Sequence, residues 1–242
     1  MDYESIQSLT KALKGQDALV SCLTSLALEL DNNLVEAAAA AGVKRFIPAH
    51  YTADMRNERS IKLPIMQPMI AIQNKLFEKA KETNGMSYTL VFTGGFLEMG
   101  LGGGLIGNVK TGAITLYDGG DRLINLTTIG TIAKGLVAVL QNYENTSNRS
   151  VFMSEVTLTQ NKVIDIAKQI DPSKSWEIGY ADTAEMEKQA VEASKVPNAP
   201  MMSMIGSILR MYFGGPDYGT RKNSLPIILI TSILKNCYRP LS

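Results

Sequence analysis

The chain has 242 residues, 45% of them hydrophobic, with 24 basic against 23 acidic side chains for a net charge of +1. That apolar content supports a large core and excludes disorder as the default, while the balanced charge excludes the electrostatic footprint of a nucleic-acid or anionic-membrane partner. Two distant cysteines, Cys22 and Cys237, do not make a disulfide scaffold; residues 1–5 show no basic stretch running into an apolar one, so no secretory or transit signal is expected, and the longest apolar run (225–234, broken by Thr231 and Ser232) is short of the ~20 residues that span a bilayer, so a cytoplasmic protein is expected.

Residues 5–14 place Ile6, Leu9 and Leu13 at helical spacing, and Gly15 is a natural stop. The compact run Ala18-Leu19-Val20-Ser21-Cys22-Leu23 is of the kind buried on both faces of a parallel sheet. Asp31 or Asn32 caps a helix over 34–41, rich in alanine and closed by Gly42. A second strand follows at 43–47 and stops at Pro48. After a polar loop, Met69, Ile70, Ile72, Leu76, Phe77 and Ala80 mark a long helix over 66–83, and Tyr88-Thr89-Leu90-Val91-Phe92 is a third strand. Strands alternating with helices predict an open parallel sheet with right-handed crossovers.

From Gly100 the pattern changes. A glycine-rich stretch leads to an expected β-hairpin, 113–117 and 123–126, about the turn Asp118-Gly119-Gly120-Asp121. Helices are predicted at 129–141, 160–170 and 183–193, with short strands at 151–153 and 176–178, and the methionines between 201 and 211 sit at helical spacings suited to core or a pocket wall. The expected architecture is α/β: residues 1–99 form a partial Rossmann-like nucleotide-binding domain, and residues 100–242 a smaller α+β substrate lobe interleaved with it.

Ligands of open α/β sheets sit beyond the carboxyl ends of the strands, which brings Leu23-Thr24-Ser25, Pro48-Ala49-His50-Tyr51 and Thr93-Gly94-Gly95-Phe96 to one rim. His50 is the only histidine, so a metal site is not expected, and without a G-x-S-x-G partner it does not suggest a hydrolase. As an acid/base or hydrogen-bond donor it is a candidate catalytic and substrate residue, and Tyr51 shares that position. Gly102-Gly103-Gly104-Leu105-Ile106-Gly107 satisfies G-x-G-x-x-G, but β-type residues follow where a helix must open, so a loop is expected instead.

Five segments in order carry a resemblance: Ser8-Leu9 through Ala18, Ala41-Gly42-Val43-Lys44-Arg45-Phe46-Ile47-Pro48, Asn74-Lys75, Tyr88 through Phe96, and Asp118-Gly119 through Asn125-Leu126-Thr127-Thr128. The chain resembles the NmrA-like, isoflavone-reductase-like branch of the short-chain dehydrogenases, particularly its fungal members, over about residues 2–170. The resemblance implies an NADPH-dependent oxidoreductase acting on an oxygenated small molecule in secondary metabolism, as a monomer or homodimer. It implies Lys75 as the catalytic lysine, with Thr24, Ser25, Pro48, Lys75, Gly94, Gly95 and Phe96 on the cofactor and His50, Tyr51, Phe96 and Met99 on the substrate. In the family, the equivalent of Asp2 follows a glycine-rich βαβ segment that holds the pyrophosphate, so the chain as given is expected to bind NADPH weakly or not at all. Its end also differs: Arg221-Lys222-Asn223-Ser224-Leu225-Pro226 runs into an apolar tail where the family has an acidic, asparagine-rich segment. Two other readings compete: a non-catalytic, nucleotide-sensing regulator like some family members, and a non-redox isomerase or cyclase that kept the pocket.

Overall fold

The computed structural model describes residues 1–82, 85–102 and 105–215. In chain order these form α1 (Ile6–Leu13), β1 (Ala18–Val20), α2 (Asp31–Ala41), β2 (Arg45–Ile47), α3 (Gln67–Lys79), β3 (Ser87–Phe92), β4 (Gly95–Phe96), α4 (Leu97–Leu101) and β5 (Ala113–Tyr117). They continue as β6 (Ile124–Thr127), α5 (Ile129–Gln141), α6 (Tyr143–Thr146), β7 (Arg149–Phe152), β8 (Val156–Leu158), α7 (Gln160–Ile170), β9 (Glu177–Ala181), α8 (Thr183–Ser194) and α9 (Ile205–Phe213). Two compact units interleave along the sequence: residues 1–52, 66–92 and 134–152 in one, and 53–65, 93–133 and the described residues from 153 onward in the other.

The first unit is a parallel four-stranded sheet in the order β1-β2-β3-β7, with Ala18 opposite Arg45, Arg45 opposite Ser87 and Thr89 opposite Arg149. The strands at Ala18, Arg45 and Tyr88 are thus parallel neighbours, as apolar runs separated by helices require. The strand expected at 151–153 in the C-terminal lobe is the fourth strand of this sheet, running at Arg149–Phe152.

The helices form where local chemistry begins and ends them. Ser5 Oγ accepts the Ser8 amide at 3.2 Å to cap α1, and Gly42, at φ 80°, turns the end of α2 with its amide directed at the Ala38 and Ala39 carbonyls. Leu9 and Leu13 of α1, Leu34, Val35, Ala37 and Ala38 of α2, Ile72 and Leu76 of α3 and Phe46 of β2 make one buried cluster. Each large aliphatic side chain in it contributes roughly 1.5–3 kcal/mol of burial free energy, and the small alanines let α2 lie close to its neighbours.

Arg45 holds the amino end of this sheet together. Its side chain is 0% exposed and uses all five N–H groups: Nε donates to Ser87 Oγ (2.8 Å), Nη1 to Thr89 Oγ1 (2.7 Å) and Thr146 Oγ1 (3.0 Å), and Nη2 to the Tyr143 carbonyl (2.8 Å) and to Ser147 Oγ. The Tyr143 ring stacks 4.2 Å from the guanidinium carbon. Every acceptor is neutral, so burial draws the guanidinium below its ordinary pKa, with Tyr143 opposing.

The second unit contains a three-stranded sheet, β4-β6-β8, and a separate parallel pair, β5 with β9. The expected hairpin of 113–117 with 123–126 does not form. Asp118 adopts φ 47°, and its carboxylate accepts from Thr183 N (2.8 Å), Thr183 Oγ1 (2.5 Å) and Arg210 Nη1 (3.1 Å). The turn is therefore drawn to the start of α8, and β6 pairs antiparallel with β8 instead. The helices expected at 129–141, 160–170 and 183–193 are present as α5, α7 and α8. Of the methionine-rich stretch, Met211 is buried on α9 while Met202 is 68% exposed. The tail from 221, with Cys237, lies outside the described residues, among which no helix is long and apolar enough to cross a membrane.

Replacing Arg45 by Met should lower the unfolding free energy by about 2–4 kcal/mol, because five acceptors, with Ser87 and Thr89 buried among them, lose their donor at once, whereas Ser147→Ala should cost about 1. Arg45→Lys should resemble Met, since an ammonium cannot reproduce the planar fork. Urea unfolding of the three variants checks the order.

Candidate functional site

At the carboxyl end of the first sheet, a buried carboxylate ties two strands to one helix. Asp31, the first residue of α2 and 0% exposed, accepts from Ser21 Oγ (2.6 Å), just past β1, and from the Ala49 amide (3.4 Å), just past β2. Burial pushes its carboxyl above the ordinary carboxylate value, against the lowering effect of these two donors. Tyr51 completes the junction: its hydroxyl donates to the Ser21 carbonyl at 2.9 Å, and burial, with the Cys22 thiol and Asp31, raises the phenol well above 10.

The rim loops are short and turned tightly. Pro48 and His50 are buried, and successive bonds from His50 N to Pro48 O (2.7 Å) and from Thr52 N to His50 O (2.8 Å) fold the segment back on itself. Thr24 is exposed and precedes a 3-10 turn that begins at Ser25, with Ala27 N bonded to Thr24 O at 2.9 Å. The His50 ring is fully buried, and among the described residues neither Nδ1 nor Nε2 has a hydrogen-bond partner. Burial alone pushes its pKa from 6.5 down to about 4, so the imidazole is neutral at physiological pH.

Lys75 lies on α3. Its ammonium is 3.0 Å from Glu36 Oε1 and donates to the Asn32 carbonyl at 3.2 Å, one residue from Asp31. Glu36 also meets Lys79 at 3.3 Å, and Lys79 has a second carboxylate in Glu82 at 3.0 Å. Burial raises the Glu36 carboxyl, but the two ammonium groups outweigh it and hold the net value below the ordinary one. The structure thus gathers Pro48, His50 and Tyr51 with Ser21 and Asp31, and sets Lys75 on the flank of α2.

The other expected residues belong to the second unit. Gly94 has φ 67°, and a Cβ there would lie 2.2 Å from the Asn125 carbonyl oxygen, so only glycine fits. Gly95 and Phe96 form β4 beside Leu126 and Thr127, and Met99 is 63% exposed on α4. In the G-x-G-x-x-G stretch, Gly103 and Gly104 lie outside the described residues. Beyond it, Asn108 bridges to Gly102 and Ala113, and its Oδ1 accepts from Lys110 N (3.0 Å) and Thr111 N (3.1 Å), which is a turn and not a helix start.

Sequence reasoning missed three residues here. Asp31 read only as a helix cap, Ser21 as part of an apolar strand, and Glu36 was not singled out at all. The one available signal was a serine closing an apolar run shortly before an acidic cap.

Residues 1–189 match the model of the NmrA-like family. The oxidoreductase aprR of Aspergillus flavus is 31% identical over 97% of this chain and 82% of its own length. The phenylcoumaran benzylic ether reductase PT1 of Pinus taeda is 28% identical over 75% of this chain, an alignment that spans 59% of that protein. Among solved structures, AtPrR2 with NADP+ and (+)pinoresinol superposes with a TM-score of 0.70 at 20% identity, covering 92% of this chain and 72% of that one. The shared fold is the Rossmann-like one of reductases of this kind.

Glu36→Gln should raise the reactivity of Lys75 toward an amine-acylating reagent more than that of Lys79, which keeps Glu82. Peptide mass spectrometry after brief labelling reads the ratio, and equal changes would mean that Glu36 does not govern Lys75. A second outcome follows from His50. A folded pKa of about 4 against 6.5 unfolded means that its contribution is present above about pH 6.5 and is lost as pH falls toward 4; the loss is on the order of 3 kcal/mol. Asp31, whose pKa is raised, acts in the opposite sense. The difference between the wild type and His50→Leu, each unfolded in urea from pH 7 to pH 5, isolates the imidazole.

Proposed function

The chain belongs to the NmrA-like family, and on that footing we propose that it is a reductase using NADPH to reduce an apolar, oxygenated small molecule of the specialised-metabolite kind. The observation that supports this best is the junction at the carboxyl end of the first sheet, where a fully buried imidazole with both nitrogens unpartnered lies next to Ala49 and Tyr51 in a loop tied to Asp31 and Ser21. A buried polar group without a partner costs roughly 1–3 kcal/mol, and a scaffold that keeps one at the ligand end of its strands is suited to meeting it with a ligand.

Thr24, Ser25 and Pro48 are the residues assigned to the cofactor in the first unit, and Gly94, Gly95 and Phe96 in the second; His50, Tyr51, Phe96 and Met99 are assigned to the substrate. When bound, NADPH supplies the hydride. The chain's own part is to orient and to manage a proton. Lys75 is assigned the polarisation of the substrate oxygen and the delivery of a proton to it, which requires its ammonium to exchange Glu36 for that oxygen. Tyr51, whose phenol is held protonated by burial, positions the loop through Ser21 and does not act as a base.

The Lys75–Glu36 pair also favours a second reading, because a lysine already satisfied on a neighbouring helix is what a purely structural residue looks like. In that reading the scaffold binds a nucleotide or a protein without turnover. The two readings differ in a direct comparison. With high NADPH and a panel of uncharged phenols, ketones and benzylic ethers, Lys75→Ala should lower turnover by roughly 10²–10⁴-fold with folding intact, and Lys79→Ala should leave it unchanged. Equal effects of the two substitutions, or no NADPH consumption with any panel member even in a form with the glycine-rich βαβ segment restored ahead of Asp2, would move the assignment to the non-catalytic reading.

A further inference from the structure

Among the described residues of the first unit, the two ammonium groups on the flank of α2, Lys75 and Lys79, are both engaged by Glu36. The loop that carries His50 is tied to the Asp31 carboxyl through the Ala49 amide, and the Tyr51 phenol lies by Asp31 and the Cys22 thiol, with Lys75 and Glu36 on the flank of α2. Lys75 and Lys79 share Glu36, and Asp31 is a carboxyl compensated only by a hydroxyl and an amide. An anion brought to this end of the first unit would lose its water, find both of those ammonium groups already paired, and have the Asp31 carboxyl bound to the same loop.

The imidazole itself is matched to a different ligand group. A neutral ring offers one N–H donor and one bare nitrogen acceptor, and both are unused in a side chain that is 0% exposed. A hydroxyl both accepts and donates, and a carbonyl accepts from the N–H. We propose that His50 is a specificity-determining residue that hydrogen-bonds an uncharged hydroxyl or carbonyl group of the bound molecule and selects against carboxylates and phosphates at that position. The proposal rests on the reading of this rim as a small-molecule site and narrows it: His50 serves as a fixed hydrogen-bonding group, and proton delivery stays with Lys75. Burial supports it by holding the ring neutral down to about pH 4.

Because His50 is the only histidine of the chain, protein grown with ¹⁵N-labelled histidine gives the signals of this one ring. At pH 7 these should show one protonated and one unprotonated nitrogen. Adding 4-ethylphenol or cyclohexanone should move them saturably, and adding benzoate or inorganic phosphate should not. A second measurement needs no ligand. If the ring nitrogens are unsatisfied by the protein itself, His50→Leu should raise the melting temperature by a few degrees while leaving the labelled-lysine pattern of Lys75 and Lys79 unchanged.

A ring that responds to benzoate or phosphate and not to the uncharged probes would overturn the proposal, as would a ring indifferent to all four. A lower melting temperature for His50→Leu would do the same, since it would show the imidazole to be satisfied internally. These readouts are independent of turnover. No NADPH consumption by the form with the βαβ segment restored, with an intact ring response, removes the reductase assignment alone, and a ring response only to anions in a protein that still reduces ketones removes the His50 assignment alone.

Discussion

A buried guanidinium with no counter-ion among the described residues organises the first unit. Removing a full positive charge from water is costly, and a cation so placed is tolerated only when its whole donor set is satisfied. Arg45 meets that condition through hydroxyls on β3, hydroxyls on α6 and the residue after it, and one backbone carbonyl. Those acceptors come from segments about a hundred residues apart in sequence. They can converge only if β7 lies beside β3, which puts α6 over the amino ends of the strands. Arg45 is therefore a long-range constraint expressed through a single side chain, and β2, which bears it, is held in register with both neighbours.

The other end of β2 is governed by the opposite kind of group. Arg45 is a buried cation among neutral acceptors, and Asp31 is a buried carboxyl among neutral donors, one beneath the amino ends of the strands and one beneath the carboxyl ends. β2 has only three residues, so the two centres are separated by something near 15 Å of strand and turn. Neither is neutralised by an ion pair. Rigid hydrogen-bonded anchors at both ends fix the short strand, and the loop at Pro48 and His50 departs from a defined point. Placing an unpartnered imidazole in such a loop is feasible because its two sides are already secured.

Much of this was legible from the sequence, for physical reasons that differ from place to place. Alanine-rich 34–41 closed by Gly42, and apolar runs at 18–23 and 88–92, are local signals, and the parallel sheet follows from their alternation. The strand at Arg149–Phe152 was visible as an element but not as a member of that sheet, because its partnership depends on the Arg45 contacts, which no window of sequence contains. The hairpin expectation failed at Asp118 for a similar reason: the turn residues were present, but Thr183 and Arg210, far along the chain, claim the carboxylate. At the rim, His50 and Tyr51 could be named from their position after a strand. The ion pair of Lys75 with Glu36 could not, since it joins two helices whose relative rotation is set by packing.

The glycine at 94 has a consequence for how this scaffold can be varied. Its backbone lies in the left-handed region, and a Cβ there would overlap the carbonyl of Asn125, a fixed part of the neighbouring strand. Next to it, a Cβ on Gly95 would meet side-chain ends of Leu126 and Leu105 at 3.0 and 3.2 Å, atoms that can shift by a few tenths of an ångström. Phe96 is half-buried and Met99 is largely open. The freedom to substitute is therefore graded along six residues: closed at 94, narrow at 95, and wide at 96 and 99. Change in this segment is accommodated in the aromatic and thioether side chains and not in the backbone that presents them.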